Sequence, residues 1–340
     1  MIRLLLAAAL LPAAAGPAAA KAPGAAALSA MRRGVASYQG ARFDDAVEHL
    51  TKALELHPGW KTASGFRAMC RWTVGELGSA AADAKLALGL KPNNAESFVA
   101  RGFARFVLKQ FGPAADDFKK AAEEDSAYAL AHFGLGSVFS QREKPKQALP
   151  HLDAAVKLAP GAAVIRVVRG AVREKLKDFR GAIEDYDVVV RAAPDFDWAR
   201  FYRGRCYREI KQFAKASDDL AEFLKRNPDN EDALYLHSNV LFQLGESIAA
   251  VKALDRLIRL NPRHGLAYAN RGVARSQSGD RTGALSDLAK AKAMLPGKAD
   301  QIEGQIRRLK ESAPLEEESA KDEGPSGVAA DALLPGEQIE

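Results

Sequence analysis

Seven prolines, Pro58, Pro92, Pro160, Pro194, Pro228, Pro262 and Pro296, fall on one grid of 34 residues, and Ser126 occupies the remaining grid point. A period in this range is the mark of a chain that stacks one small structural unit on copies of itself. Counting back from each grid point gives eight units, which begin at Ala27, Lys61, Ala95, Ala129, Ala163, Asp197, Glu231 and Gly265. They run from residue 27 to residue 298 without insertion or deletion. Proline lacks an amide proton and disfavours helix in the residue before it, so each grid point should end a helix.

Two further columns carry the fold. Twelve residues before each grid point stands an alanine: Ala46, Ala80, Ala114, Ala148, Ala182, Ala216, Ala250 and Ala284. At the eighth position every unit is small: Gly34, Ala68, Gly102, Gly136, Gly170, Gly204, Ser238 and Gly272. Small residues at two fixed points mean that two helix backbones approach closely there. Between the columns lies a polar or glycine-containing turn, such as Lys109-Gln110 or Gly245-Glu246, often followed by Phe or Leu. Each unit therefore reads as helix, tight turn, helix.

In its small eighth residue, its alanine at twenty and its proline at thirty-two, the unit resembles the tetratricopeptide repeat. The resemblance implies an all-α fold: a right-handed α-solenoid of eight helix-turn-helix repeats, with the first helices lining the concave face. It also implies a protein-interaction scaffold, since solenoids of this kind present extended concave binding surfaces.

One column departs from that pattern. The seventh position, usually Leu in the family, is Arg33, Arg67, Arg101, Arg169, Arg203 and Arg271 in six units. Position twenty-three is Asp83, Asp117, Asp185, Asp219 and Asp287 in five units, all of which carry the Arg, and His49, His151 or Ala253 in the others. Columns that vary together predict contact, so Arg67 should pair with Asp83, and so on, within about 6 Å. A charge buried between two helices is costly unless matched, and the guanidinium fork suits a carboxylate.

The flanks differ from the array. Residues 1–20 read as an export signal: Arg3, an apolar run from Leu4 to Leu11, then Ala18-Ala19-Ala20 before Lys21. That run is too short for a membrane-spanning helix, which needs about 20 residues. The expected location is an exported compartment, periplasmic or secreted, with residues 21–26 a linker. Residues 299–312 place Ile302, Ile306 and Leu309 on one face of an amphipathic helix suited to capping the last repeat. Residues 313–340 carry a net charge of −7, leaving +13 on the rest of the chain, and read as an acidic disordered tail.

No reactive constellation emerges. The six histidines follow no metal-binding spacing, and neither a phosphate-binding glycine loop nor a Gly-x-Ser-x-Gly elbow occurs. Asp44-Asp45, Asp116-Asp117 and Asp218-Asp219 fall near the starts of second helices, where carboxylates suit the positive end of the dipole. Cys70 and Cys206 hold the same position in two distant repeats, too far apart for a disulfide, and read as small buried hydrophobes. The expectation is a protein without enzymatic activity, cofactor or metal.

In the family, positions 2, 5, 9, 12 and 13 of each first helix face the groove. Units one to three place Tyr38, Met69, Trp72, Phe103 and Phe106 there, an apolar strip that neighbouring helices either bury in the superhelix or leave as a groove for a hydrophobic or helical segment of a partner. Units six and seven place Trp198, Arg205, Arg208, Tyr235 and Asn239, a mixture suited to an acidic or carboxylate-bearing peptide. The leading expectation is a scaffold for a protein or peptide, with no nucleic acid and no transmembrane segment. The alternative, from the +13 of residues 1–312, is a basic adaptor for an anionic polymer or membrane surface.

Overall fold

The computed structural model describes residues 22–311; the segments read as an export signal and an acidic tail lie outside the described residues. Seventeen α-helices and one short 3₁₀ turn (Pro296–Lys298) make up this region. The first eight are α1 (Ala25–Gln39), α2 (Phe43–Leu56), α3 (Lys61–Thr73), α4 (Leu77–Leu88), α5 (Ala95–Val107), α6 (Phe111–Glu124), α7 (Ala129–Gln141) and α8 (Pro145–Leu158). They are followed by α9 (Ala163–Lys175), α10 (Phe179–Ala192), α11 (Trp198–Glu209), α12 (Phe213–Arg226), α13 (Glu231–Gln243) and α14 (Ser247–Leu260). The last are α15 (Gly265–Gln277), α16 (Arg281–Met294) and α17 (Ala299–Glu311). Sixteen helices form eight hairpins, each packed on the next, in an all-α solenoid. Ile302 and Ile306 of α17 are buried in the cluster that holds Leu288 and Ala291, so α17 covers the last hairpin's apolar face.

Every hairpin turns through the same device. The fifteenth residue of each unit has positive φ: Ala41, Lys109, Glu143, Lys177 and Lys211 at 57–63°, and Gly75, Gly245 and Gly279 at 78–86°. The amide of the next residue donates back to the carbonyl of residue eleven, as in Glu76 to Arg71 and Lys144 to Phe139, both at 2.9 Å. That is a Schellman closure, which satisfies carbonyls left open by the end of the first helix. The second helix stops before the proline column, and α6 stops without it. Asp125 caps that end, and its side chain accepts from the amide of Ala127 at 2.9 Å, an Asx turn in place of Pro.

The small columns meet as expected, through a partner the spacing did not identify. A Cβ on Gly136 would lie 2.5 Å from Leu152 Cγ, and one on Gly170 would lie 2.7 Å from Tyr186. Position eight thus takes the side chain of position twenty-four, while the alanines at position twenty are fully buried beside it. Unit two confirms the volume rule from the other side: Ala68 is tolerated where residue twenty-four is only Ala84, both buried in one cluster.

All five predicted ion pairs are present, each as a two-bond fork. Arg67 reaches Asp83 at 2.7 and 2.7 Å, and Arg101 reaches Asp117 at 2.9 and 2.7 Å. Arg169–Asp185, Arg203–Asp219 and Arg271–Asp287 repeat the geometry at 2.5–2.9 Å. The third guanidinium nitrogen then crosses to the preceding hairpin: Arg169 to Asp153, Arg203 to Asp187 and Arg271 to Asp255, at 2.9, 2.7 and 2.7 Å. In these three units one column ties the hairpin internally and to its neighbour. A second cation one turn on, Arg71, Arg105, Arg173 or Arg275, also reaches the same carboxylate.

Candidate functional site

The first helices of the N-terminal hairpins press against one another more tightly than an open groove allows. Gly65 of α3 lies so near α5 that an added Cβ would sit 2.3 Å from the Ala100 carbonyl oxygen. Aromatic rings fill the space that remains. Phe103 packs edge-on to Tyr38, Phe66 and Phe118, with centroids 6.1, 5.6 and 5.5 Å away. Tyr38 and Phe103 are 1% exposed, Phe106 4% and Met69 5%. Burial holds the Tyr38 phenol well above its usual pKa, so it stays neutral. Of the two readings of this strip, burial by neighbouring helices describes most of it, because Tyr38, Met69, Phe103 and Phe106 are packed into the core. Trp72 is half-buried, edge-on to Phe106 at 5.4 Å.

The first hairpin also meets the fifth and sixth. Phe43, at the start of α2, stacks edge-on to Phe196 in the α10–α11 loop at 5.8 Å. Ala41 is buried in one cluster with Ala163, Val189, Ala193 and Ala199. This contact closes the turn of the solenoid and leaves a cavity of about 940 Å³ inside it. Its walls are apolar over most of their extent, built from Phe106, Phe133, Val164, Val167, Val168 and Phe196, with Tyr38, Met69 and Trp198 among them. The structure thus brings together Tyr38, Met69 and Phe106 from one sequence-predicted patch and Trp198 from the other. Trp72, Phe103, Arg205, Arg208, Tyr235 and Asn239 are not among the cavity's lining residues.

The polar members of the second patch are engaged internally. Arg205 Nε donates to Glu174 at 2.8 Å, and the Tyr186 hydroxyl donates to the other oxygen of Glu174 at 2.6 Å. Arg208 donates to Glu209. The buried amide of Asn270 donates to Asn239 Oδ1 at 2.9 Å and to the Tyr235 hydroxyl at 3.1 Å. These contacts leave the patch short of the free donors that an acidic peptide would need. Trp198 is 40% exposed and packs on Phe223 at 5.1 Å.

Residues that the sequence reading did not single out complete the cavity. Phe133, Ser137, Ser140 and Gln141 lie along α7, and Val164 and Val167 lie on α9. All six occupy positions 2, 5, 9, 12 or 13 of units four and five, so the rule that selected Tyr38 and Met69 would have found them too. The Phe43–Phe196 closure had no such signal, because it depends on the pitch of the whole array.

Cys70 and Cys206 are both buried and free, and burial pushes both thiols up, away from the reactive thiolate. Among the described residues, no group of His, Cys, Asp and Glu side chains could hold a metal ion. Nor is any helix among them long and apolar enough to cross a membrane.

A family model described as tetratricopeptide repeat matches residues 31–95, 104–163 and 235–299, more than half of the chain. A second model of the same description matches residues 198–230. The chain belongs to the tetratricopeptide repeat family. Among curated proteins, this tetratricopeptide chain is 37% identical over 84 residues to a TPR repeat-containing thioredoxin of Arabidopsis thaliana, covering 25% of this chain and 22% of that one. It is 34% identical over 84 residues to an SGT1 homolog of Bos taurus, covering 25% of each. The match spans about a quarter of the length of these relatives.

Among solved structures, the tetratricopeptide array resembles a chain of the APC/C hetero-tetramer Cut9–Hcn1 with a TM-score of 0.61 at 15% identity, over 82% of this chain and 55% of that one. It resembles YrrB, described as having an unusual peptide-binding site, with a TM-score of 0.53 at 22% identity, over 57% and 99%. Both likenesses concern the fold.

Proposed function

We propose that this tetratricopeptide chain is a non-enzymatic interaction scaffold that seats a segment of a partner protein in the cavity inside its superhelical turn. The observation that carries the reading is the cavity itself. It is apolar over most of its wall, has a few polar groups, and lies within the volume range of sites that bury a ligand. Tyr38, Met69, Phe106 and Trp198 contribute to its wall, and the exposed indole of Trp198 offers a partner its first contact. The peptide-binding site named for YrrB supports the class of ligand.

The alternative of a basic adaptor is weakened by the ion pairs. The arginines at positions seven and eleven that face Asp83, Asp117, Asp185 and Asp287 are tied to those carboxylates and are not free to hold phosphates. We further propose that the scaffold works in an exported compartment, supported by the pattern of residues 1–20. N-terminal sequencing of the protein isolated from its source would show a start near Lys21; an intact Met1 would overturn that placement.

The test of the binding reading places a photo-crosslinking residue at Ser140, on the cavity wall, and identifies the captured segments by mass spectrometry. Val168→Trp, which fills the cavity from α9, should abolish those crosslinks while leaving the helical circular dichroism unchanged. Crosslinks that persist with the cavity filled would show that the partner binds elsewhere.

A further inference from the structure

The cavity is uneven in its polarity, and that unevenness specifies a ligand. On its wall, α7 presents Ser137, Ser140 and Gln141 at i, i+3 and i+4, one polar stripe on a surface otherwise made of Phe133 and the valines of α9. Ser137 is 6% exposed, and its hydroxyl has no hydrogen-bond partner. A buried hydroxyl left unpaired is destabilising, and a ligand able to exchange a hydrogen bond with it recovers that cost.

The charged residues that line the cavity are three acids and one base: Asp44, Asp45, Asp195 and Arg42. Arg42 is held by Asp45 at 3.3 Å, and Asp195 reaches Arg226 at 3.3 Å in an exposed pair. Asp44 has no basic partner among the described ion pairs. The N-terminus of α2 adds roughly half a positive charge near Asp44 and Asp45. With Arg226 counted, three carboxylates face two guanidiniums, and the half charge of the helix end is too little to cancel the unmatched Asp44, so the lining keeps a small negative excess.

We infer that the cavity recognises a partner segment with one large apolar anchor flanked by Lys or Arg, the apolar residue seated against Phe133 and Val168 and the cation drawn to Asp44 and Asp195. A hydroxyl, amide or backbone group of the segment meets Ser137. The inference rests on the proposed binding function and adds its specificity. It reverses the preference for acidic peptides that Arg205 and Arg208 suggest in the sequence. It also argues against the chain's own residues 313–340 as occupant, because their net −7 would be repelled.

The test measures fluorescence anisotropy of three labelled nonapeptides on the full chain in low salt, alike except for Lys, Ala or Glu on either side of a central Leu. The Lys peptide should bind about tenfold tighter than the Glu peptide, the size expected of one favourable and one unfavourable charge contact near a surface. Asp44→Asn with Asp195→Asn should shrink that ratio to below about threefold and leave the Ala peptide unchanged. Ser137→Ala should weaken all three peptides several-fold while raising the melting temperature, whereas a merely structural serine would leave affinity unchanged.

Equal binding of Lys and Glu peptides, lost on Val168→Trp, would overturn the charge inference and leave the binding site standing. Binding of all three that survives Val168→Trp would overturn the site as well. Displacement of the Lys peptide by a synthetic copy of residues 313–340 would make the chain's own tail the occupant and also overturn the inference.

Discussion

Asp185 receives both arms of the Arg169 fork, at 2.5 and 2.9 Å, and also a bond from Arg166 at 3.2 Å and one from Arg173 at 3.0 Å. This fully buried carboxylate on α10 compensates three guanidiniums of α9 at once. Removing it leaves Arg166 with no carboxylate partner among the described residues, and Arg169 and Arg173 with only Asp153 and Asp178, while all three stay 12–17% exposed. Asp185→Ala should therefore destabilise the array by about 3–5 kcal/mol, as breaking a buried pair does.

Asp219 gives the internal comparison. Arg203 alone forks it, because Tyr207 stands where other units carry the second arginine and instead lies against the Arg203 guanidinium at 5.8 Å. Burial raises the Asp219 carboxyl above its usual range despite the Arg203 contact. Asp219→Ala should cost less than Asp185→Ala, and urea unfolding of both variants measures the order.

The packing of residue eight on residue twenty-four makes a second prediction. Gly136→Ala drives a methyl into Leu152, whose Cγ would lie 2.5 Å away, and should cost about 1–3 kcal/mol as an overpacked core does. Leu152→Ala alone should cost about 2–5 kcal/mol through its cavity. The two together recreate the Ala68–Ala84 pairing of unit two. The double variant should be more stable than the sum of the single losses by at least about 0.5 kcal/mol, and strict additivity in denaturant midpoints would refute the coupling.

These two contacts show which parts of the molecule could be read from residues alone. Eight copies of one unit act as an alignment within the chain, so Arg67 and Asp83 declare their contact by varying with their counterparts elsewhere. The second arginine, at Arg71, Arg105, Arg173 and Arg275, was equally visible one helical turn on and follows from the same logic. The candidate site was legible only in pieces. Tyr38 and Trp198 could be assigned to the concave side, but their convergence depends on α1 and α2 reaching the α10–α11 loop. A small change in the angle between successive hairpins, accumulated over four units, decides whether Phe43 touches Phe196. No local spacing encodes that sum, and the close approach of Gly65 to Ala100 is one of its contributors.

The turn column offers a stabilising change. Lys177 holds φ at 63°, where an L side chain costs roughly 1–2 kcal/mol, whereas Gly75 and Gly279 hold the same position without that strain. Lys177→Gly releases the strain and gives back part of the gain, about 0.4–1 kcal/mol, as entropy of the unfolded chain. The net expectation is a gain of about 0.5 kcal/mol in unfolding free energy. A loss of stability would mean that the lysine side chain contributes more than its backbone costs.

The last prediction concerns pH. His151 stacks on Phe139 at 5.5 Å with rings nearly parallel, and burial, with His132 and Lys119 nearby, lowers its pKa below the usual 6.5. His237 occupies the arginine column of unit seven, where its ring nitrogen meets the Ser217 hydroxyl at 3.1 Å and burial lowers its pKa as well. Both rings are neutral in the fold, and protonation is easier in the unfolded chain. The stability this represents is complete above the unfolded value of about 6.5 and is lost as pH falls through the lower folded values. The melting temperature should therefore drop from about pH 7 to about pH 5. Ordinary Asp and Glu values lie near 4, below most of that window, and the carboxyls of Asp219 and Glu96, raised by burial, act in the opposite sense by favouring the fold as pH falls. Replacing both rings, His151→Gln with His237→Gln, should flatten the drop while lowering the melting temperature at pH 7 through lost packing. An unchanged slope in the double variant would place the acid sensitivity elsewhere in the array.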